Sequence, residues 1–110
     1  MDCIFCKIIA GEIPSNKEYE DDTVLAFRDI EPKAPVHILV VPKKHITGAA
    51  DVQSEDGEVI GHIFRVIAQV ADQQGLTDFR VVTNNGAGAG QTVPHLHFHI
   101  LAGRQLGEMG

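Results

Sequence analysis

The segment Pro94-His95-Leu96-His97-Phe98-His99-Ile100-Leu101 (residues 94–101) has the most informative pattern in the chain, because polar and apolar side chains alternate along it. Successive side chains of a β-strand point to opposite faces, so the three histidines share one face and the apolar residues share the other. The alternation predicts a strand over about residues 95–102, with one face against a core and the other lined by imidazoles.

Three of the chain's six histidines lie within the five residues 95–99. Cationic imidazoles this close would repel one another, which favours their neutral form. A neutral imidazole can act as a nucleophile, a general base or a metal ligand. The pattern therefore indicates a chemical site on this strand, and it leaves covalent catalysis and zinc ligation both open.

A glycine-rich loop, Asn84-Asn85-Gly86-Ala87-Gly88-Ala89-Gly90-Gln91-Thr92, directly precedes this strand. Glycines let the backbone approach a ligand closely and present N–H groups to anionic oxygen. The loop matches neither a P-loop nor a dinucleotide fingerprint, and a plain flexible hairpin loop is the alternative interpretation. Its connection to the histidine strand favours phosphate binding, and phosphate beside imidazoles indicates phosphoryl or nucleotidyl chemistry.

Residues 55–74 carry the strongest helical pattern, with apolar residues at i, i+3, i+4 and i+7 spacing. The stripe consists of Ile60, Ile63, Phe64, Ile67, Val70 and Ala71. Ser54 is the predicted N-cap and Gly75 the predicted C-terminal stop. A shorter helix is predicted over residues 3–11.

Strand-like segments flank the long helix. They are Thr23–Asp29 and Val36–Val41 before it, and Phe79–Thr83 and His95–Ala102 after it. The acidic patch of Glu18, Glu20, Asp21 and Asp22 is interpreted as a solvated turn. One long helix between pairs of strands favours a single α+β domain over residues 1–110, with a mainly antiparallel sheet rather than a doubly wound one.

The composition bears on which partners the chain can have. The chain has 110 residues and a net charge of −6, which argues against nucleic acid or an anionic membrane as a partner, because both need clustered positive charge. The longest apolar run, Ile38–Val41, is far too short to span a membrane. No secretory signal follows Met1, so we expect a cytoplasmic protein. In that compartment the Cys-x-x-Cys of Cys3 and Cys6 is either a metal half-site or a redox pair.

Several segments together resemble the histidine triad (HIT) family, in particular its Hint-like branch of purine nucleoside phosphoramidases. Residues 95–101 match the signature His-φ-His-φ-His-φ-φ, where φ is apolar. The other matching segments are Lys7-Ile8-Ile9 with Ile13-Pro14, Leu25–Ile30, Pro42–Ile46 and Gly90–Val93. The resemblance implies an α+β HIT-like fold: a five-stranded, mainly antiparallel sheet with one long and one short helix, continued across a homodimer.

The resemblance also implies an activity. The chain would be a nucleotide hydrolase or nucleotidyl transferase that cleaves purine nucleoside 5′-phosphoramidates, or related nucleotide conjugates, at the α-phosphate. His97 would be the nucleophile and form a nucleotidyl-histidine intermediate, which splits one hard displacement into two easier ones. His99 would hold the α-phosphate and help protonate the leaving group, and His37 would support the triad. Catalysis would need no cofactor.

The family's binding residues carry over to matching positions. Asp29 would accept from the ribose hydroxyls. The wall around the base would consist of Phe5, Ile8, Phe27 and Ile30, although Phe27 and Ile30 also fit a core. Gln91 and Thr92, with the N–H groups of the loop at Gly90, would contact phosphate oxygens or the leaving group, and Asn84 would contact the nucleotide. Where relatives continue into Trp-Pro-Pro-Gly, this chain has Gly107-Glu108-Met109-Gly110, so no leaving-group preference is implied.

Some bacterial members of the family hold structural zinc with an N-terminal Cys-x-x-Cys and two histidines. The matching residues are Cys3, Cys6, His45 and His95, a set suited to tetrahedral zinc. Zinc there would contribute folding free energy and remove His95 from direct chemistry.

Three other functions fit parts of the chain. One is a zinc-dependent hydrolase with His95, His97 and His99 as ligands and an open water position, which gives the glycine loop no purpose. Another is a nucleotide-binding regulatory module with little turnover. A third is a Cys3–Cys6 redox protein, although that motif normally follows a strand in a βαβ unit.

Overall fold

A five-stranded antiparallel sheet with one long and one short helix forms the framework of the protein. We describe it from a computed structural model, which defines residues 3–109. The strands are β1 Lys17–Glu20, β2 Val24–Arg28, β3 Val36–Pro42, β4 Arg80–Val82 and β5 Phe98–Ala102, and the helices are α1 Ile4–Ile9 and α2 Gly57–Gln73. The predicted α+β fold class is confirmed. No helix within the described residues is long and apolar enough to cross a membrane.

The strand order is β1-β2-β3-β5-β4, so the last strand of the chain inserts beside the middle one. Leu39 of β3 pairs with His99 of β5, and His37 pairs with Leu101. Val82 of β4 faces His99 from the other side. This order brings His37 next to the C-terminal histidines, although more than fifty residues separate them in sequence.

The two faces of the sheet pack against different helices. The α2 face is an extended apolar core formed by Val24, Ala26, Ile38, Val40, Ile46, Ile63, Val66, Ile67, Val70, Leu96, Phe98 and Ile100. The smaller core on the α1 face consists of Cys3, Phe5, Ile8, Leu25, Phe27, Leu39 and Val41. Because strand side chains alternate, residues from the same strands supply both cores. Both faces are therefore partly buried.

The short helix α1 begins and ends at recognisable residues. Cys3 is its N-cap, and its sulfur accepts from the Cys6 N–H at 3.4 Å. Gly11, with φ of 81°, follows the C-cap in a left-handed conformation that suits glycine. A helix of six residues is not stable alone in water, so tertiary contacts must hold α1 on the sheet.

The predicted start and stripe of the long helix need correction. Ser54 begins a 3₁₀ turn, Ser54–Asp56, and Asp56 is the N-cap of α2. At that turn the Asp56 carboxylate accepts from the Gln53 N–H at 2.9 Å. The α-helix itself begins at Gly57, later than predicted. Phe64 is 51% exposed because the buried face is centred on Val66 and its neighbours, and its ring packs against Phe98 at the margin.

The acidic patch is partly a strand, so its interpretation as a turn is wrong for Glu18 and Glu20. Both lie in β1, an edge strand, where charged side chains can remain solvated and discourage further strand pairing. Asp21 does form a turn, and its Oδ1 accepts from the Thr23 and Val24 N–H groups at 2.8 and 2.9 Å.

The histidine strand begins later than predicted, at Phe98 instead of His95. Its partner strand β3 ends at Pro42, which has no backbone N–H to continue the ladder. The segment before β5 turns instead to another part of the chain, where the Leu96 N–H donates to the Ile46 carbonyl at 2.6 Å.

Candidate active site

A cavity of about 610 Å³ opens beside the histidines on the α1 face. His97, His99 and His37 line it, and the rings of His97 and His99 lie 4.9 Å apart between centroids. His97 is 5% exposed and His37 is 4% exposed. Two nearly buried imidazoles and the half-buried imidazole of His99 thus face one cavity.

The proton on His97 can be assigned from its hydrogen bond. Its Nδ1 lies 2.7 Å from the backbone carbonyl of His95. A carbonyl oxygen only accepts, so Nδ1 carries the hydrogen and donates it. The Nε2 lone pair of His97 therefore remains available, as a nucleophile requires.

The same reasoning orders the pair formed by His37 and His99. The Lys33 N–H donates to His37 Nδ1 at 3.0 Å, so the ring hydrogen of His37 is on Nε2. That hydrogen is donated to His99 Nδ1 at 2.8 Å, which leaves His99 with its hydrogen on Nε2. Burial, together with the neighbouring His97 and His37, lowers the pKa of His99 to about 4. His99 is thus a neutral hydrogen-bond donor in the free site near pH 7.

Asp29, predicted to bind ribose, lies at the edge of this histidine pair. Its Oδ2 is 3.5 Å from His37 Nε2, and its Oδ1 accepts from the Glu31 N–H at 2.8 Å. Asp29 also lines the cavity. Burial lowers the pKa of His37, although the Asp29 carboxylate opposes that effect.

The other end of the cavity is apolar. Of the predicted base-binding residues, Phe5, Ile8 and Phe27 are buried, and the rings of Phe5 and Phe27 meet edge to face at 5.5 Å. Ile30 also borders the cavity, but its side chain is 92% exposed and lies at the rim.

Further lining residues were not predicted; they are Ile4, Ile13, Pro14, Ser15, Arg28, Glu31, Lys33, Leu39, Val82, Val93 and Leu101. The position of Leu39, two residues after His37 on one strand, is a signal that alternation could have supplied. Ser15 Oγ is buried without a hydrogen-bond partner among the described residues.

The glycine-rich loop forms the third side of the cavity. Asn84, Gly90 and Thr92 line it, whereas Gln91 is not among the lining residues. The Gln91 amide donates to the carbonyls of Thr47 and Val93 at 2.7 and 3.1 Å, and its oxygen accepts from the Gly86 N–H at 2.7 Å. In this arrangement the Gln91 side chain braces the loop and does not reach into the cavity.

The four predicted metal ligands converge at the other end of the histidine segment, with their ligand atoms within 4.8 Å of one another. Cys3 Sγ and Cys6 Sγ lie 3.4 and 3.6 Å from His95 Nδ1. His45 Nδ1 lies 3.4 Å from Cys6 Sγ and 3.1 Å from His95 Nδ1. We call this set the Cys/His cluster.

These separations fit a tetrahedral zinc ion. Zn–S bonds of about 2.3 Å and Zn–N bonds of about 2.0 Å at tetrahedral angles imply edges of about 3.6 Å between N and S and about 3.3 Å between two N atoms. His95 Nε2 lies 2.9 Å from the Pro42 carbonyl and therefore donates to it. This second contact leaves the lone pair of Nδ1 directed at the cluster.

The structure does not bring His95, His97 and His99 together as a ligand set. Within residues 3–109 the groups whose ligand atoms converge are the Cys/His cluster and the set of Asp29, His37 and His99. His95 Nδ1 belongs to the cluster, while the Nδ1 atoms of the other two histidines are engaged elsewhere. The zinc-hydrolase alternative therefore lacks its site.

Comparisons with known proteins were made for sequence and for structure. A family sequence model described as the HIT domain matches residues 10–106. A histidine triad protein from Clostridium difficile has a solved structure with a TM-score of 0.95 and 54% identity, covering 100% of this chain and 97% of that one. The purine nucleoside phosphoramidase of Escherichia coli is 45% identical over 96% of this chain and 91% of its own length. A 14 kDa zinc-binding protein of Zea mays is 50% identical over 94% of this chain and 83% of its own.

Proposed function

This chain belongs to the histidine triad (HIT) family, and from that membership we propose that it hydrolyses purine nucleoside 5′-phosphoramidates, or related nucleotide conjugates, at the α-phosphate. The observation that carries the proposal is the state of His97: its Nδ1–H is held by the His95 carbonyl at 2.7 Å, and its Nε2 is free beside His99. The name of the Escherichia coli relative supports the substrate class.

In the first step His97 Nε2 attacks the α-phosphorus, and the bond from phosphorus to the leaving nitrogen breaks. The anionic substrate favours protonation of His99 at Nδ1, which replaces the hydrogen bond from His37, and the Nε2 hydrogen passes to the leaving nitrogen. In the second step water attacks the phosphorus, the bond to His97 breaks, and His99 takes a proton from that water. The products are the nucleoside monophosphate and the free amine.

The cavity suits a small nucleotide whose planar base packs against an apolar wall. Phe5, Ile8 and Phe27 would enclose the purine, with Ile30 at the rim, and Asp29 would accept from the ribose hydroxyls. Asn84, Thr92 and the backbone at Gly90 would contact phosphate oxygens, and Gln91 would act indirectly by bracing their loop. Because the chain carries a net charge of −6, these local donors must bind the anionic substrate.

The Cys/His cluster would hold structural zinc. Cys3, Cys6, His45 and His95 would supply two thiolates and two imidazoles, and the ion would cross-link α1 to the segment before β5. This contribution is to folding and involves no step of the reaction. The printed name of the Zea mays relative supports a metal of this kind.

We further propose a homodimer, with the sheet continued from one protomer to the next. In the described part of the chain β4 is an edge strand that pairs only with β5. Its outer backbone groups are therefore available to a second copy.

The test of the activity is intact-mass spectrometry during turnover of adenosine 5′-phosphoramidate. We expect wild type to gain the mass of one AMP transiently and to release AMP, and the variant His97→Asn to do neither. Turnover by His97→Asn would exclude His97 as the nucleophile. Nucleotide binding by wild type with no turnover of any phosphoramidate would instead favour a regulatory module.

A further inference from the structure

Phe5 connects two parts of the molecule that the proposed function treats separately. It lies between Cys3 and Cys6 in sequence, within the loop of chain that the Cys/His cluster closes. Its ring meets the ring of His97 edge-on at 5.0 Å between centroids and the ring of His95 at 5.9 Å. Phe5 thus touches a metal ligand and the proposed nucleophile at once.

A second contact follows the backbone. His95 contributes its Nδ1 to the cluster, 3.4 Å from Cys3 Sγ, and its carbonyl oxygen holds His97 Nδ1 at 2.7 Å. A change in the position of His95 therefore changes the hydrogen bond that orients His97.

The position of α1 depends on the cluster. The helix has six residues, too few for a stable isolated helix, and its first turn carries both cysteines. Apart from the cluster, Phe5 and Ile8 are its buried contacts with the α1 face, and Ile9 packs there partly buried. Phe5 and Ile8 also line the nucleotide cavity, so whatever holds the first turn of α1 also sets one wall of that cavity.

We propose that Phe5 is a positioning residue that couples the Cys/His cluster to the nucleotide cavity, so that a divalent metal and a nucleotide bind with positive cooperativity. A metal bound by the cluster would hold the Phe5 ring in its contact with His97. That would complete the cavity wall. The proposal rests on the proposed function for its choice of nucleotide as the second ligand. Linkage then requires each ligand to raise the affinity of the other by the same factor.

The experiment measures that factor in both directions on the full chain with zinc and AMP, which needs no turnover. The dissociation constant of AMP is measured by calorimetry with zinc-loaded and zinc-free protein. The dissociation constant of zinc is measured by competition with a chromophoric chelator, with and without AMP. We expect a factor of about 5 or more, equal in the two directions. If the zinc-free chain unfolds, zinc and AMP couple through folding alone, so the factor is taken only under conditions in which circular dichroism shows the zinc-free chain to be folded.

Two variants separate coupling from packing. Phe5→Leu should retain zinc binding while the coupling factor falls toward 1, because only the route through the His95 carbonyl remains. Ile8→Val is the matched control, because Ile8 lies on the same helix and lines the same cavity but is not in ring contact with a histidine. It should weaken AMP binding equally with and without zinc and keep the factor.

The ring-proton NMR signals of His97, assigned with His97→Asn, give a readout that does not depend on AMP. They should shift on zinc loading in wild type and shift less in Phe5→Leu, which keeps only the contact through the His95 carbonyl. The coupling would be overturned by equal AMP affinity with and without zinc. An unchanged coupling factor in Phe5→Leu, or absence of zinc binding, would overturn it as well. Failure of wild type to bind AMP in either state, with the NMR shift present, would contradict the proposed function while leaving Phe5 as the link to His97.

Discussion

The two faces of the sheet differ in what they bury. The buried core on the α2 face consists of apolar side chains, including those of Ile63, Val66 and Val70. The α1 face lies beside His37, His95 and His97, all of which are nearly inaccessible to solvent. Apolar burial stabilises a fold at about 25 cal/mol per Å², whereas buried polar groups cost free energy unless each is hydrogen bonded. One face thus provides stability, and the other holds reactive groups at a cost that the hydrogen bonds of His37, His95 and His97 offset.

The largest expected effect separates chemistry from folding on the α1 face. His97→Asn should lower kcat by about 10⁴-fold or more, the scale seen when a nucleophile is removed. Its melting temperature should stay near that of wild type, since Asn can still donate to the His95 carbonyl. Steady-state kinetics and thermal denaturation measure the two. A fall of less than tenfold in kcat would contradict the assignment of His97.

The converse experiment destabilises the apolar core on the α2 face. Ile63 is fully buried, and Ile63→Ala should lower the free energy of unfolding by about 2–5 kcal/mol, the range for removing a buried aliphatic side chain and leaving a cavity. Below its melting temperature the variant should keep kcat/KM within a few-fold of wild type. Urea denaturation supplies the free energy, and a large loss of kcat/KM in the folded variant would mean that the two faces are not separable.

The Cys/His cluster is the part of the α1 face that we expect to contribute stability. The double variant Cys3→Ser, Cys6→Ser should lose bound zinc, measured by elemental analysis, and should melt at a lower temperature. The melting temperature of wild type should fall with a chelator while that of the double variant does not change. A melting temperature of wild type that is insensitive to the chelator would show that the cluster carries no stabilising metal.

The smallest expected effect is a pH dependence of the α1 face. Burial lowers the pKa of His99 from 6.5 to about 4, and burial also lowers the pKa of His37. The unfolded chain therefore binds more protons than the folded chain between about pH 6.5 and 4, and stability is lost as the pH falls through that window.

His99→Asn tests this pH dependence. It should lose less stability than wild type between pH 7 and 4.5 in parallel urea titrations. Identical losses in the two proteins would mean that His99 is not the titrating group. Ile63→Ala serves as the control, since the α2 core contains no histidine and the slope with pH should match that of wild type.

The periodicity of apolar residues predicted secondary structure well wherever the pattern lies within a short stretch of chain. Alternation predicted the apolar side of β5, strand-like apolar segments predicted β2 and β3, and 3.6-residue spacing predicted α2 to within two residues at each end. It failed for β1, because Glu18 and Glu20 have the composition of a turn and become a strand only by pairing with β2. It also misplaced Phe64, because the packed stripe of α2 is set by where the helix lies on the sheet.

The candidate site also has features that local motifs predict and features that they do not. The resemblance of local motifs supplied His97, Asp29 and the four cluster residues, and the structure brings these groups into the cavity or the cluster. It did not supply the direction of the Gln91 amide, the exposure of Ile30 or the unpartnered Ser15 hydroxyl. The direction of the Gln91 amide depends on its contact with the Thr47 carbonyl, which is distant in sequence.

The sequence by itself determined the α+β class, the shared face of the histidines and the family, because alternation and motifs are properties of short stretches of chain. The tertiary structure alone decided which nitrogen of His95 and of His99 carries the hydrogen, since the partners that select it, the Pro42 carbonyl and His37, are more than fifty residues away in sequence. It alone also brought residues 3, 6, 45 and 95 within ligand distance of one another. The physical reason is that hydrogen-bond direction and convergence depend on strand order and register, which long-range packing sets.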